Sequence, residues 1–558
     1  MRQAGVTSTV DITTPRDFAW ASLGSPWSAR NLGDVVLSSA RRHPGRAALW
    51  VDGTALTYGD LIASAAGIAG ALHVEGRAAR QCRCAILGSR SVSVYLGIIG
   101  AAMAHAVYIP LNPRHPRERL RFMLAAADVD AIVVDRDAIE RARDLLRDIV
   151  RPVLVLLPDA ASVPDWAITL DRHRFLCARD LASYRPALAA ATDAPVSDRD
   201  GAYLLFTSGS TGNPKGVFIR QGNVLAYLRH VTARYQPRED DRFTQLFDLT
   251  FDLSVHDMFL CWGAGATLYC PPDRARISPR EFVRQHALTF WFSAPSTAAF
   301  MMRLHALGPG DFPSLRWSLF CGEALPKRLA LTWAAAAPNA VLENLYGPTE
   351  ATIAITAYRL PDAASDRDRL PDILPIGASF PGQQTCIIDD QGRVVAAAEA
   401  GELCLSGSQV AEGYWQLPAL TADRFISLPD SLPGQCWYRT GDRAIVTQDG
   451  LVLLGRLDRQ IKIGGHRVEL QDVEAALRRA ADCDTVAAIA WPVDDDGLVR
   501  GIVGFVPLSA VPTDAIQSAC RRTLPPYMVP ARVCRLREWP VNDNGKTDYR
   551  RLYTLVES

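Results

Sequence analysis

Lysine is scarce in this 558-residue chain, which has only four of them among 60 lysine and arginine residues. Arginine therefore supplies most of the positive charge. A retained lysine marks a position where a compact ammonium on a flexible stem is needed instead of a planar fork. Three of the four, Lys215, Lys462 and Lys546, fall inside dense motifs, and we expect functional roles for them. The fourth, Lys327, is expected to be a surface residue at the start of a helix.

Neither sign of charge is in excess, since 60 acidic residues balance the basic ones and the isoelectric point is about 7.1. This balance excludes the basic footprint that binds nucleic acids and anionic membranes, so we expect neither partner. The 12 cysteines are scattered without a CxxC pair, and no zinc-binding spacing emerges. Reduced thiols in a cytoplasmic protein are the simplest interpretation.

Long apolar runs are nearly absent as well. One stretch, 94–111, continues for 18 residues without a formal charge, a length that suggests a membrane span. It contains several glycines and alanines and His105, and it ends in Tyr-Ile-Pro-Leu-Asn-Pro, so we expect a buried helix that leads into a strand. Residues 1–20 include Asp11, Arg16 and Asp17 and no uninterrupted apolar core, which argues against a secretory signal.

The pattern of apolar residues predicts two domains of different fold. From about 31 to 190, and again from 200 to 360, helical stretches alternate with short apolar runs, which is typical of βαβ units and mostly parallel sheets. Short glycine-containing β-type runs between 374 and 455 indicate a smaller barrel-like part. We therefore predict an extension at 1–30, a large α/β domain at 31–457 with two βα sheets and that barrel-like part, and a small mobile α+β domain at 458–558.

A run of hydroxyl and glycine residues follows the predicted strand at 202–206. It reads Thr207-Ser-Gly-Ser-Thr-Gly-Asn-Pro-Lys215-Gly216. A concave turn of this kind points backbone N–H groups and hydroxyls at a polyphosphate, and the lysine at its far end neutralises further charge. The GxxxxGK[ST] spacing of a Walker A loop is absent, so a phosphate-binding loop of another type is predicted.

This run resembles the core signature of the adenylate-forming superfamily, which includes the adenylation domains of nonribosomal peptide synthetases, acyl-CoA ligases and luciferases. Further motifs match in family order over about residues 56–550. They are Leu56-Thr-Tyr-Gly-Asp-Leu61, Ala106-Val-Tyr-Ile-Pro-Leu-Asn112, Phe251-Asp-Leu-Ser254, Asn344-Leu-Tyr-Gly-Pro-Thr-Glu350, Gly401-Glu-Leu-Cys-Leu-Ser-Gly407, Tyr438-Arg-Thr-Gly-Asp442, the run 455–470, Leu524-Pro-Pro-Tyr-Met-Val-Pro530 and Asn544-Gly-Lys546. One such motif is weak support for membership, whereas this many in order make it strong.

The resemblance implies a site for ATP and Mg²⁺. Family members join a carboxylate to the α-phosphate of ATP, expel pyrophosphate, and pass the acyl group to a thiol. By resemblance, Glu350 holds Mg²⁺, which prefers oxygen ligands, Thr349 donates to the α-phosphate, and Asp442 accepts hydrogen bonds from the ribose hydroxyls. The other nucleotide-binding residues that the resemblance implies are Thr207, Ser208, Gly209, Ser210, Thr211, Gly212, Lys215, Gly322, Glu323, Ala324, Asn344, Tyr346, Gly347, Arg456 and Lys546.

Two lysines and a hinge are implied to divide the reaction into two steps. Lys546 is expected to place its ammonium between the substrate carboxylate and the α-phosphate, where it offsets charge that builds in the transition state. Lys462, with Gly464 and Gly465, belongs by resemblance to the face presented during thioester formation. Asp458 occupies the hinge position of the family, so a movement of the small domain would exchange the two lysines.

Asp252 is expected to decide the type of carboxylate substrate. The matching aspartate of amino-acid-activating members pairs with the α-ammonium, whereas aryl- and fatty-acid-activating members generally lack it. A buried carboxylate is costly unless a cation satisfies it, so an amino acid explains Asp252 better than a fatty acid. The pocket positions carried over from the family are Asp252, Leu253, His256, Ser293, Leu319, Cys321, Leu345, Ile353, Ala354 and Lys546.

The pocket residues favour a small uncharged amino acid. Leu253 and Leu345 are bulkier than the alanines found where members accept phenylalanine. No acidic or basic residue is expected to face the substrate side chain except His256, which is near neutral at pH 7 and is expected to be packed in the pocket wall. The segments 250–256 and 321–326 are most similar to free-standing proline-activating members, so proline ranks ahead of cysteine, serine and alanine.

No carrier module follows Lys546, so we expect the acceptor thiol on the phosphopantetheine arm of a separate peptidyl carrier protein, in natural-product biosynthesis. Gly464-Gly465-His466 departs from the Arg-Gly of many members, which we expect to bear on carrier docking. Three alternatives remain open. They are an acyl- or aryl-CoA ligase, a non-catalytic nucleotide-binding scaffold, and an enzyme that activates D-alanine for cell-wall decoration.

Overall fold

The computed structural model describes residues 29–76, 81–209, 213–276, 278–429, 431–432, 434–494, 496–508, 511–541 and 547–557. Among the residues predicted to bind substrates, Ser210, Thr211, Gly212 and Lys546 lie outside the described residues, as does most of the predicted extension at 1–30.

The helices follow the predicted alternation with strands. The α-helices are Leu32–Arg42, Tyr58–Glu75, Val92–Met103, Arg117–Ala127, Ile139–Leu146, Ala178–Tyr184, Leu188–Asp193, Gln221–Tyr235, Leu253–Val255, Cys261–Ala264, Asp273–Arg276, Arg280–Gln285, Pro295–Arg303, Lys327–Ala336, Ala364–Asp368, Pro418–Arg424, Leu470–Ala481, Thr513–Thr523 and Tyr549–Glu557. Short 3₁₀ turns lie at Arg136–Ala138, Asp165–Leu170, Arg185–Ala187, Thr349–Ala351 and Pro526–Met528, and a π-helical turn at His256–Leu260. As predicted, a helix begins at Lys327.

Two large sheets form the main body. The seven-stranded sheet has the order Arg174–Cys177, Leu154–Leu157, Ala131–Val134, Arg83–Leu87, Val107–Leu111, Gly201–Thr207 and Lys215–Arg220. The nine-stranded sheet has the order Ala378–Ser379, Thr356–Arg359, Val341–Tyr346, Trp317–Phe320, Phe290–Ser293, Arg242–Thr244, Thr267–Cys270, Ala47–Val51 and Thr54–Thr57. Both are parallel at the centre. The nine-stranded sheet has antiparallel strands at both edges, whereas the seven-stranded sheet has one only at the edge formed by Lys215–Arg220. Parallel strands buried on both faces account for their continuous apolar runs.

The stretch that suggested a membrane span lies inside this body. Helix Val92–Met103 is buried along its length except at Val92 and leads into the buried strand Val107–Leu111, as predicted. Ser91 caps the helix by accepting a hydrogen bond from the Val94 amide, and the helix packs on Tyr58–Glu75. Among the described residues, no helix combines the length and the apolar character that a membrane crossing requires. The hydrophobicity of the stretch 94–111 therefore reflects its burial in the core between the two sheets.

Smaller antiparallel and mixed sheets complete the fold. Strands Gln383–Ile388, Gly401–Gly407, Trp437–Thr447, Phe425–Ile426 and Gly450–Arg456 form a five-stranded sheet. After it come the hairpin Gln460–Ile463 and His466–Glu469 and a three-stranded sheet of Ala487–Ala490, Ile502–Pro507 and Arg532–Leu536. This last sheet packs with Leu470–Ala481 and Thr513–Thr523 around a core of its own. The predicted fold class, a large α/β part with several sheets and a small α+β part, is confirmed.

Candidate active site

A cavity of about 100 Å³ lies where strands of both large sheets end and where the hairpin 460–469 meets them. The carboxyl ends of parallel strands are the usual place for a ligand in open α/β sheets. Many of the residues singled out in the sequence come together here. Those that line the cavity are Thr207, Ser208, Asp252, Leu253, Cys321, Gly322, Tyr346, Gly347, Thr349, Asp442, Arg456 and Lys462.

Glu350 is the centre of a buried cluster of charges beside this cavity. Its carboxylate is fully buried and lies 3.2 Å from Lys215 Nζ and 3.1 Å from Arg467 Nη1. Tyr414 donates its hydroxyl to Glu350 Oε1 (2.7 Å) and accepts a hydrogen bond from Lys215 (3.0 Å). Burial alone raises the pKa of Glu350, but Arg467 and Lys215 outweigh that effect and hold it well below its usual range. Glu350 is therefore ionised at neutral pH.

Lys215 is a buried cation, and burial shifts its pKa in the opposite direction from that of a carboxylate. Its ammonium is buried, and burial together with the positive charge of Arg467 lowers its pKa to about 8, although Glu350 opposes the shift. Lys215 is therefore mostly charged at pH 7. A buried cation of this kind is well placed to compensate a phosphate charge.

The metal expected at Glu350 can be tested against this chemistry. Among the described residues, no group of three or more histidine, cysteine, aspartate or glutamate side chains is arranged to hold a metal ion. Mg²⁺, however, is commonly bound through one or two carboxylates together with phosphate oxygens of the substrate. The single ionised carboxylate of Glu350 is a ligand of the right type, but Lys215, Arg467 and Tyr414 contact its oxygens in the described arrangement, so it would hold the ion only after Arg467 moves away with the hairpin. When bound, the ion would neutralise phosphate charge.

Asp442 and Arg456 form a second charged group on the cavity wall. Arg456 donates to Asp442 Oδ1 (2.8 Å) and, through two nitrogens, to both oxygens of Asp458 (2.7 Å each). The Tyr346 hydroxyl donates to Asp442 Oδ2 (2.6 Å). A carboxylate has about four acceptor positions, so Asp442 still has room for further hydrogen bonds. Burial raises the pKa of Asp458, but the hydrogen bond and charge of Arg456 prevail and lower it.

The hairpin of the small domain occupies part of the site. The Gly465 amide donates to Glu323 Oε1 (2.8 Å), and the Ser208 hydroxyl donates to the Arg467 carbonyl (2.9 Å). His466, the departure noted in the sequence, stacks on Tyr527 with ring centroids 3.7 Å apart and meets Phe251 edge-on at 4.6 Å. This arrangement places the Lys462 ammonium 5.9 Å from the Tyr346 ring centroid.

Asp252 reaches the cavity from the segment before helix Leu253–Val255. It lies at the N-cap position of that helix, but its side chain does not cap it. Instead its Oδ2 accepts a hydrogen bond from the Ile353 amide (3.0 Å), on a chain segment that Gly347 allows to approach closely. A Cβ on Gly347 would lie 2.5 Å from Ala354 Cα. Burial, followed by the charge of Glu350, raises the pKa of Asp252 to about 6 despite the Ile353 hydrogen bond.

This pKa predicts an acid limb in the pH profile. Below about pH 6 Asp252 takes up a proton, loses its charge and can no longer pair with an ammonium group. We expect kcat/KM for an ammonium-bearing substrate to fall about tenfold per pH unit below that point, because this ratio reports the free enzyme. Measured in the same assay, Asp252→Asn should lack the limb. A wild-type profile that is flat between pH 5 and 7 would contradict the assignment.

Other predicted pocket residues lie behind the cavity wall. Leu319, Leu345, Ile353 and Ala354 are buried in the main hydrophobic core together with Leu253 and Cys321. His256 is fully buried, bonds the Tyr227 hydroxyl through Nδ1 (2.8 Å), and packs on Phe292 with centroids 4.6 Å apart. Burial lowers its pKa to about 3, so it is neutral. The Ser293 hydroxyl accepts from Trp291 and donates to the Ala294 carbonyl, and it lines a neighbouring cavity.

Some predicted nucleotide-binding residues make structural contacts instead of lining the cavity. The Asn344 amide donates to the Pro375 carbonyl (2.9 Å), and Glu323 also accepts from the Ser296 amide (2.8 Å). Ala324 is exposed, and Gly209 does not line the cavity. Tyr414 and Arg467, which were not predicted from the sequence, hold Glu350. Arg467 lies within the motif run 455–470, which was the available signal, whereas Tyr414 had none.

Comparison with known proteins identifies the family of the chain. The family described as AMP-binding enzyme matches residues 36–415. The L-proline–[L-prolyl-carrier protein] ligase of Streptomyces coelicolor is 33% identical over 533 residues, which cover 92% of this chain and 94% of that protein. A linear gramicidin synthase of Brevibacillus parabrevis is 31% identical over 92% of this chain, and the chain spans only 9% of that much longer protein.

A solved structure shares the whole architecture. The adenylation domain AlmE of Vibrio cholerae, in complex with glycyl-adenosine-5'-phosphate, matches with a TM-score of 0.85 and 31% identity. The match covers 98% of this chain and 100% of that chain. The resemblance stated from the motifs is thus confirmed. The chain belongs to the family of AMP-binding enzymes, and its relatives include the enzyme named as a ligase of L-proline to a prolyl-carrier protein.

Proposed function

We propose that this chain uses ATP and Mg²⁺ to activate a small uncharged amino acid as its aminoacyl adenylate, and transfers the aminoacyl group to the phosphopantetheine thiol of a separate carrier protein. L-Proline is the preferred substrate in this proposal. One observation carries it: Asp252 is buried at the cavity wall, and no cationic side chain among the described residues pairs with it. A substrate α-ammonium supplies the missing charge.

The nucleotide is proposed to lie along the described cavity wall. Tyr346 and Gly322 border the adenine, Asp442 binds the ribose, and Thr349 donates to the α-phosphate. The loop from Thr207 to Lys215 wraps the phosphates. These assignments join the ammonium site at Asp252 to the phosphate end of ATP, so the substrate carboxylate meets the α-phosphorus in line.

Two steps follow in this proposal. In the first, a carboxylate oxygen attacks the α-phosphorus and the bond to pyrophosphate breaks, with Lys546 offsetting the charge. In the second, the carrier thiolate attacks the acyl carbon and AMP leaves with the bonding electron pair. Lys462 and Gly465, which the resemblance assigns to the face presented during thioester formation, line the cavity. We therefore assign the described arrangement, with the hairpin inserted, to the second step.

The choice of proline rests on the pocket and on one relative. Leu253 lines the cavity, Leu319 and Leu345 are buried behind its wall, and three leucines at these positions favour a short substrate side chain. The Streptomyces coelicolor relative is named for proline, and the Vibrio cholerae structure holds a glycyl adenylate, so both point to a short side chain. Cysteine, serine and alanine remain alternatives within the family. An acyl- or aryl-CoA ligase is the alternative outside amino acids, and Asp252 disfavours it.

A screen of pyrophosphate release tests the proposal. The twenty common amino acids, D-alanine, benzoate and a fatty acid are offered with ATP and Mg²⁺. Proline, or another small neutral amino acid, is expected to give the highest rate. Release with benzoate or the fatty acid alone would establish the acyl- or aryl-acid alternative. Absence of release with every acid would favour the non-catalytic scaffold.

Asp458→Pro is expected to separate the two half-reactions. Proline restricts the backbone at the proposed hinge and removes the carboxylate that Arg456 holds at 2.7 Å, so one domain orientation should prevail. Pyrophosphate exchange measures the first step and carrier aminoacylation from preformed adenylate the second. We expect one rate to fall at least tenfold more than the other. Equal loss of both would argue against the hinge.

A further inference from the structure

Arg119 is a buried guanidinium that no anion satisfies. It lies in the first turn of helix Arg117–Ala127 and is 9% exposed. Its Nε has no hydrogen-bond partner, and no hydrogen bond or ion pair joins Arg119 to any residue that the structure describes. Glu118, the acid of this helix, pairs with Arg121, and Asp148, which reaches the helix from the segment after Ile139–Leu146, pairs with Arg117 and Arg121.

Two neutral polar groups without hydrogen-bond partners lie on the same cavity wall. His115 and Thr207 line the cavity together with Arg119. His115 Nδ1 and the Thr207 hydroxyl are buried and have no hydrogen-bond partner in the described parts of the chain. Burial, followed by the charge of Arg119, lowers the pKa of His115 to about 4, so it is neutral at pH 7 and Arg119 alone brings charge.

The other guanidinium groups of the cavity already have their anions. Arg467 pairs with Glu350, and Arg456 pairs with Asp442 and Asp458. A buried charge is tolerated only when it is paired. Because Arg119 has no partner among the described residues, we expect a ligand to supply the anion. The planar fork of arginine matches a phosphate group through two parallel hydrogen bonds. Thr207 opens the hydroxyl- and glycine-rich loop, which favours a phosphate at this wall.

We propose that Arg119, His115 and Thr207 form an anion subsite that holds the β- and γ-phosphates of ATP and the pyrophosphate that leaves. This inference deepens the proposed function and rests on it for the identity of the nucleotide. Arg119, His115 and Thr207 line the same cavity as Asp252 and Asp442, which are proposed to serve the amino acid and the ribose. Arg119 and His115 thereby gain a role in retaining and releasing the leaving group.

Arg119→Gln tests the subsite, with Arg121→Gln as the matched control. Arg121 lies on the same helix but is 41% exposed and pairs with Glu118 and Asp148. Loss of a charge-assisted contact to phosphate should raise the KM for pyrophosphate in the exchange reaction about 10- to 100-fold in Arg119→Gln. Arg121→Gln should change it less than about twofold. Binding of a sulfamoyl aminoacyl-adenylate analogue, which has no β- or γ-phosphate, should be unchanged in both.

Direct binding of inorganic pyrophosphate separates this inference from the proposed function. Titration of the full chain with Mg-pyrophosphate needs no amino acid, and Arg119→Gln should weaken it by the same factor. The wild-type protein could fail to activate any acid while Arg119→Gln still weakens pyrophosphate binding. In that case the proposed function fails and the subsite stands. Arg119→Lys keeps the positive charge but loses the planar guanidinium group, so we expect an intermediate loss of pyrophosphate affinity. This variant provides the test if Arg119→Gln folds poorly. Unchanged pyrophosphate affinity, or a defect confined to carrier aminoacylation, would overturn the subsite.

Discussion

Asparagine in place of Asp252 is expected to lower kcat/KM for the amino acid in pyrophosphate exchange by about 100- to 1,000-fold, the cost of leaving a buried ammonium without its partner. The neutral amide keeps the size of the side chain and removes the charge. Because ATP does not contact this group in the proposed arrangement, the KM for ATP should change less than about threefold. Steady-state exchange kinetics with each substrate varied in turn measure both quantities.

Ser254→Ala provides the control for this variant. Ser254 lies two residues away, is fully buried, and donates its hydroxyl to the Phe251 carbonyl (2.6 Å), so its loss perturbs the same segment without touching the charge. We expect it to lower stability modestly and to leave the preference for amino acids intact. If Asp252→Asn and Ser254→Ala impaired both substrates alike, Asp252 would have only a structural role.

Lys546→Ala is expected to reduce adenylate formation about 100- to 1,000-fold, the typical effect of removing one preorganised charge from a transition state. Transfer from preformed aminoacyl adenylate to the carrier should stay within about threefold of wild type, because that step uses the other domain orientation. Lys462→Ala should show the reverse pattern. Its ammonium already lies at the cavity, 5.9 Å from the centre of the Tyr346 ring.

The reciprocal pattern is what distinguishes this assignment from general damage. Single-turnover measurements of each half-reaction on both variants give four rates, which are compared with wild type. Adenylate formation at the wild-type rate in Lys546→Ala would remove that lysine from the first step. Equal losses in both half-reactions for both variants would remove the division of labour between the lysines.

Much of the fold could be predicted because its determinants are local. Apolar runs flanked by helices indicated the parallel strands, and the run 94–111 was correctly interpreted as a helix and a strand because proline and asparagine ended it. The motif residues Asp252, Thr349 and Asp442 meet at one cavity although they are far apart in sequence. Family order, and not periodicity, carried that prediction.

Other features depend on tertiary contacts that no local pattern encodes. Tyr414 bridges Lys215 and Glu350 from a loop that is distant in sequence from both. The absence of a partner for Arg119 among the described residues likewise depends on tertiary contacts, since Asp148 reaches its helix from another element and pairs with Arg117 and Arg121 instead. Conversely, Asn344 was expected to bind the nucleotide, and in the fold its amide satisfies the Pro375 carbonyl. The role of Lys546 stays a prediction from its motif, since it lies outside the described residues.

Pyrophosphate exchange with matched pairs of acids tests most directly whether the Asp252 carboxylate binds the α-ammonium group of the substrate. L-Proline is compared with cyclopentanecarboxylate, which has the same ring without the nitrogen, and alanine is compared with propionate. We expect the amino acid of at least one pair to support exchange at least 100-fold better than its deaminated partner, and we expect Asp252→Asn to erase the difference. Exchange that is equal or faster with the deaminated acids would contradict amino acid activation by this chain.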